Sequence, residues 1–346
     1  MGISYRVDRY WAFALPAGFA LFGMAQVNQL TFPFPSLDDA RFYLPALWVA
    51  KYGSLNPTIL NAPRGIFWVP DGLTVLLGLA MRLFGQSIEV ARIACECMVA
   101  AGVALFALVF RRLSESAATG AVATLLLLTP PVVFAANSVR MEAPVFLLIA
   151  LALLLHLNDH LLGAGALLFG SLLIHPALGL AAAGYTMLSW EFRPRRAHSY
   201  HGRIFDWVIL AAVLLCWLLE GVHIAHHVDL FSAHMSYQVG HKMRLSLTAR
   251  LFKPQGVILF LSVAATVTIM IRRMVWKSLR INQYFLGAAV IALGVQTYSV
   301  LCAELSYDIY DLSLAPAIIF CLVVNEFRVE SPEPVLDPAY GKSSKI

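Results

Sequence analysis

Residues 66–84 read IFWVPDGLTVLLGLAMRLF, and the topology of the whole chain turns on them. The stretch is apolar enough to pass for a membrane span. However, Pro70, Asp71, Gly72 and Arg82 interrupt it. A span needs roughly 17–25 mostly apolar residues without such breaks. The stretch is therefore expected to be a half-buried helix in or near the membrane interface, not a crossing.

The surroundings justify thinking in terms of a membrane. Of 346 residues, 60% are hydrophobic and only 13% charged. A soluble domain carries about 25% charged residues. The composition implies an all-α polytopic membrane protein built as one embedded domain, residues 1–326. The tail 327–346 holds Pro332, Pro334 and Pro338 among charges and is expected to be a disordered cytoplasmic segment. Ten spans are expected: 11–27, 90–110, 117–136, 143–157, 161–174, 178–190, 205–222, 256–271, 284–302 and 309–324. The first follows Arg6 and Arg9 like a signal peptide, but it lacks a small-x-small cleavage site and reads as an uncleaved span.

Charge placement supports excluding 66–84 from the spans. With both termini cytoplasmic, clusters at Arg111-Arg112, Arg193 to Arg203 and Arg272 to Arg280 all fall inside. Counting 66–84 as a span would move those clusters outside, against the positive-inside rule. The basic residues left outside are Arg41, Lys51, Arg64, Arg82, Arg92, Arg140, Lys242, Arg244, Arg250 and Lys253. An anionic ligand at the outer membrane surface would account for them together.

Ser36 to Gly53 has the marks of a helix at both ends. Ser36 can cap it, Asp39 stands at the third helical position, and Gly53 can end it. Acids in a first turn offset the helix dipole and need no further role. Asp38 and Asp39, beside Arg41, also suit a general base or carboxylate clamp at a membrane surface. Arg140-Met141-Glu142 lies at a span mouth on the same side, where charges anchor cheaply. Alternatively, Arg140 holds a phosphate with its forked donors and Glu142 orients it. His223, His227, His234 and His241 share one helical face. That face is expected to be the polar side of an interfacial helix. Zinc is the other reading, since His pairs four apart suit a metal, but Asp229 is the single acid nearby. Lys242, Arg244, Arg250 and Lys253 form a basic rim suited to a lipid phosphate.

His175-Pro176 breaks an apolar run near the outer face, as a kink or as a cavity lining. Tyr307 and Asp308 open the last span on the same side, as belt residues or as groups facing the cavity. The five cysteines lie in or beside apolar segments, without metal-ligand spacing. A phosphate loop and a dinucleotide fingerprint are absent from the sequence, and it points to no nucleic-acid partner.

Several stretches together resemble the GT-C superfamily of membrane glycosyltransferases that use polyprenyl-phosphate-linked sugars. The style is that of lipid A aminoarabinose transferases and protein O-mannosyltransferases. The stretches are Leu37-Asp38-Asp39-Ala40-Arg41-Phe42-Tyr43 with Ala50-Lys51-Tyr52-Gly53, then Leu83-Phe84-Gly85-Gln86-Ser87 with Ala91-Arg92. Arg111-Arg112 and Asn137-Ser138-Val139-Arg140-Met141-Glu142-Ala143-Pro144 follow in the family's order. The resemblance covers roughly the first 190 residues. It implies a GT-C-like fold at the outer face of the cytoplasmic membrane. It implies Asp38 or Asp39 as catalytic base, and Arg41, Arg140, Lys242 and Arg244 as donor-phosphate ligands. Glu142, His175, Tyr307 and Asp308 would orient the substrates. The acceptor would be a lipid, glycan or protein. A requirement for a divalent metal is left open by the sequence. The chain departs from the family in having His175 where many members place a lysine, and in lacking additional spans or an outer soluble domain. A lipid-linked-sugar transporter or flippase and a scaffold subunit of an envelope-polymer complex are the alternatives. The first should show an internal repeat and the second a partner subunit.

Overall fold

The computed structural model describes residues 37–59, 67, 69–114, 116–175, 200–242, 257, 261, 264–265, 268 and 314–327. The regular structure among them is helical, with no strand. Expected spans 11–27, 178–190 and 284–302 lie outside these residues, as do Arg244, Tyr307, Asp308 and the tail.

Ten helices follow in order. They are α1 (Leu37–Tyr52), α2 (Gly72–Phe84), α3 (Ile88–Ser114), α4 (Ala117–Leu127) and α5 (Pro130–Asn137), then α6 (Glu142–Leu157), α7 (Leu161–Ser171), α8 (Tyr200–His226), α9 (Val228–Lys242) and α10 (Ala315–Phe327). Among the described residues, two stretches are long and apolar enough to cross a membrane, Ile88–Ser114 and Ile204–His226. At about 1.5 Å per residue, α3 outruns a hydrocarbon layer of about 30 Å.

The helix α3 is the axis. Its buried residues Arg92, Cys95, Val99, Val103, Phe106, Phe110 and Leu113 recur at helical spacing. They pack against α6, with α4, α5 and α10 alongside. Glycine brings α3 and α6 together: a Cβ on Gly102 would lie 2.6 Å from the Phe146 ring. Phe146 in turn meets Phe106 at 4.9 Å between centroids. In a membrane, such small residues let backbones approach and gain dispersion contacts.

The expected single span 117–136 is two helices. α4 is capped by Ser116, whose Oγ accepts the Thr119 N–H at 3.3 Å. It ends at Leu127, and α5 restarts at Pro130. Pro130 and Pro131 cannot donate inside a continuing helix, whereas proline suits a first helical position.

The stretch 66–84 does not form a crossing helix. Only Gly72–Phe84 is helical, 13 residues long, and it crosses α1 at Gly78, where a Cβ would lie 2.7 Å from Val49. Leu73, Leu77 and Met81 face inward, while Leu76, Leu79, Leu83 and Phe84 are exposed. α1 ends as expected: Gly53 takes φ +68° and its N–H bonds to the Val49 carbonyl at 2.8 Å.

Contacts between helix ends sort the polar residues into two groups. At one end of α3, Arg112 donates to Asn158 in the α6–α7 turn, and His160 meets Asp206 of α8 at 3.0 Å. At the other end, Asp39 of α1 meets Arg92 and the α5–α6 turn. The end of α7 and the upper turns of α8 reach the same level, where the Gly72 N–H bonds to the Leu173 carbonyl and Glu220 and His223 meet Asp71.

Two glycine substitutions test the packing. Gly102→Val is expected to lower stability by about 1–3 kcal/mol through overpacking against Phe146. Gly165→Ala, with nothing within 4 Å, is expected to be neutral or stabilising by about 0.5–1 kcal/mol. Thermal unfolding of both variants in detergent checks the contrast.

Candidate functional site

The first helix brings its acid inward. Asp39 Oδ1 accepts the Val139 N–H at 2.6 Å, and Oδ2 meets Arg92 Nη2 at 3.5 Å. The two side chains are 1% and 0% exposed. Asp39 therefore ties α1 to α3 and to the α5–α6 turn. Asp39 stands at the third position of α1, as expected. The carboxylate satisfies a buried N–H of another segment, because a buried charge demands a cation and hydrogen bonds. Asp39 is thus almost fully buried. The backbone of Asp38 belongs to the same helical turn.

Next to this tie, Arg140 binds Glu142 with two nitrogens. Nε lies 3.1 Å from Oε1 and Nη2 3.0 Å from the same oxygen. The expected pair thus exists, part-buried, with the guanidinium 5.5 Å over the Phe134 ring. Arg41 is half-buried on the same helix as Asp39. His175 is buried at the end of α7 and its backbone N–H bonds to the Ser171 carbonyl at 3.0 Å. Lys242 closes α9.

A second polar cluster forms on the interrupted stretch itself. The Asp71 carboxylate meets His223 Nδ1 at 2.5 Å. The Asp71 backbone N–H bonds to Glu220 Oε2 at 3.2 Å. The Phe67 N–H bonds to His234 Nδ1 at 3.1 Å. The Phe67 ring is bracketed by His223, His227 and Phe231, with centroids at 5.0, 6.0 and 5.8 Å. His223 at the end of α8, His227 in the turn after it and His234 on α9 all meet residues 67–71, instead of lining one helical face turned outward as an interfacial polar surface. The cause is satisfaction of polar groups: Asp71 and the Phe67 N–H need partners where Pro70 breaks the helix.

This cluster is half-open. Asp71 and His223 are 15% and 14% exposed. Asp71 borders a surface pocket with Asn56, Pro57, Ile59, Phe67 and Thr74. Glu220 Oε1, His223 Nε2 and His234 Nε2 are buried without a hydrogen-bond partner. His234 is fully buried, and burial holds its imidazole below the ordinary 6.5. Among the described residues, no three His, Cys, Asp or Glu side chains converge to hold a metal. Elsewhere, Glu96 on α3 and Asn137 at the end of α5 are fully buried, and their side-chain polar atoms lack partners.

Asp71, Glu220 and His223 were visible in the sequence only as a helix breaker, a lone acid near a span end and part of a histidine face. Their meeting joins residues 149 and 152 positions apart. No local pattern reports such pairing.

Two outcomes are expected. Asp39→Leu, which strands a buried guanidinium, should cost about 3–5 kcal/mol, while Asp39→Leu with Arg92→Met should recover most of it. Thermal unfolding in detergent reads both. Burial disfavours the protonated form of His234 in the fold relative to the unfolded chain, so it withdraws stability as pH falls through the ordinary imidazole range. His234→Gln should therefore flatten the loss of stability between pH 7 and 5, as seen in melting curves.

Compared with known proteins, the chain matches no family model, no curated protein and no solved structure.

Proposed function

We propose that this chain transfers a sugar from a polyprenyl-phosphate donor to a lipid, glycan or protein acceptor at the outer face of the cytoplasmic membrane. The observation that carries the mechanism is the Asp71–His223 contact at 2.5 Å beside a surface pocket. A transferase of this kind needs a carboxylate that reaches the acceptor and a group that holds it in place. Asp71 meets both needs and belongs to the same first outer segment as Asp38 and Asp39. Asp39 is committed to Arg92 and Val139, so the base is Asp71, with Asp38 the remaining competitor in that segment.

In the step itself, the acceptor O–H or N–H gives its proton to Asp71 as oxygen or nitrogen attacks the anomeric carbon. The bond from that carbon to the phosphate oxygen breaks, and polyprenyl phosphate leaves with the electron pair. Cations at the same end, with Arg140 nearest to the Asp39 tie, stabilise the developing charge.

The transporter reading draws on the partnerless polar atoms of Glu96 and Asn137 within the bundle. Such groups could mark a polar pathway. One assay separates the two. Purified wild type in detergent, where transport has no meaning, should release polyprenyl phosphate from a polyprenyl-phosphate sugar. Asp71→Asn is expected to lower that rate by about 10²- to 10⁴-fold with the melting midpoint kept. No release by the wild type would favour transport. Full activity of Asp71→Asn together with loss in Asp38→Asn would return the base to α1.

A further inference from the structure

We propose that the groove between the end of α1 and α2 is a binding site for an anionic phospholipid, whose phosphate is held by Arg82. The groove is lined by Val49, Gly53, Ser54, Val75, Leu79 and Arg82. Arg82 reaches across it: a Cβ on Gly53 would lie 3.4 Å from Arg82 Nη1. Glycine at φ +68° thus ends α1 and also leaves room for the guanidinium.

Charge and exposure select the occupant. Arg82 and Lys51 are both exposed. Among the described residues neither makes an ion pair or a hydrogen bond. The acids of this region are occupied elsewhere, Asp39 by Arg92 and Asp71 by His223. Each cation sits in the last turn of its helix, where it offsets the dipole, yet that weak effect leaves the guanidinium donors open.

Around the cations the surface is apolar. Tyr52, Leu79, Leu83 and Phe84 are 63, 51, 76 and 77% exposed. An apolar face beside unneutralised cations is the signature of a helix lying in a membrane interface. Acyl chains cover Leu83 and Phe84, and the phosphate meets Arg82 through a forked pair of N–H donors. A soluble anion would leave the apolar flank in water, so the two halves of the surface call for one amphiphile. The site requires only that α1 and α2 lie against a membrane, and it stands or falls separately from sugar transfer.

The test uses the full chain purified in a neutral detergent. Native mass spectrometry compares retention of phosphatidylglycerol with that of phosphatidylcholine of matched acyl chains. The wild type should retain phosphatidylglycerol preferentially. One interfacial cation is worth a factor of about 5 in affinity, so Arg82→Gln should cut the preference by about that factor. Arg82→Lys should keep most of it, which separates charge loss from any change in folding. Equal retention of the two lipids by the wild type, or an undiminished preference in Arg82→Gln, overturns the proposal.

Discussion

The buried Asp39–Arg92 pair is the constraint on which the architecture rests. Its carboxylate also takes the Val139 N–H, so one side chain binds three segments separated by 53 and 100 positions in sequence. Neither charge could be buried alone, because an unpaired ion in a low-dielectric interior costs several kcal/mol. Once α1 is held at this end of α3, α2 must cross it at Gly78, and Asp71 is delivered to the end of α7 and to α8. The Asp71 cluster is thus positioned by a tie made elsewhere.

The two polar clusters divide the work that the sequence concentrated in one place. The first is almost fully buried, its carboxylate held by the Val139 N–H and by Arg92. The second is half-open, lies next to a pocket and keeps three buried polar atoms without partners. Each such atom costs about 1–3 kcal/mol. The fold carries that cost at Glu220, His223 and His234, as it does at Glu96 and Asn137 inside the bundle.

Much of the helical plan was legible. The interruption of 66–84, the end of α1 at Gly53 and the turn after Leu157 follow from proline, glycine and charge placement. The break at Pro130 was missed because 117–136 has the composition of one span, and composition does not weigh a proline pair against helix continuity. The acid at position 39 was legible as important, but its partner was not. A capping pattern looks four residues ahead, and Val139 lies 100 residues away. The histidines were legible as a set. Their inward direction depends on which polar groups residues 67–71 leave unsatisfied, a property of the docked segment.

Composition and periodicity by themselves determined that the described chain is helical, that it carries stretches apolar enough to cross a membrane, and which of its polar residues share an end of the bundle. These are local properties, set by side-chain chemistry over a few turns. The tertiary structure alone decided that Gly72–Phe84 docks against α1 behind a polar start, that Asp39 is a tie, and that Asp71 meets His223. Those outcomes come from satisfying buried charges and backbone groups across distant segments, and a hydrogen bond is chosen by what stands opposite in space.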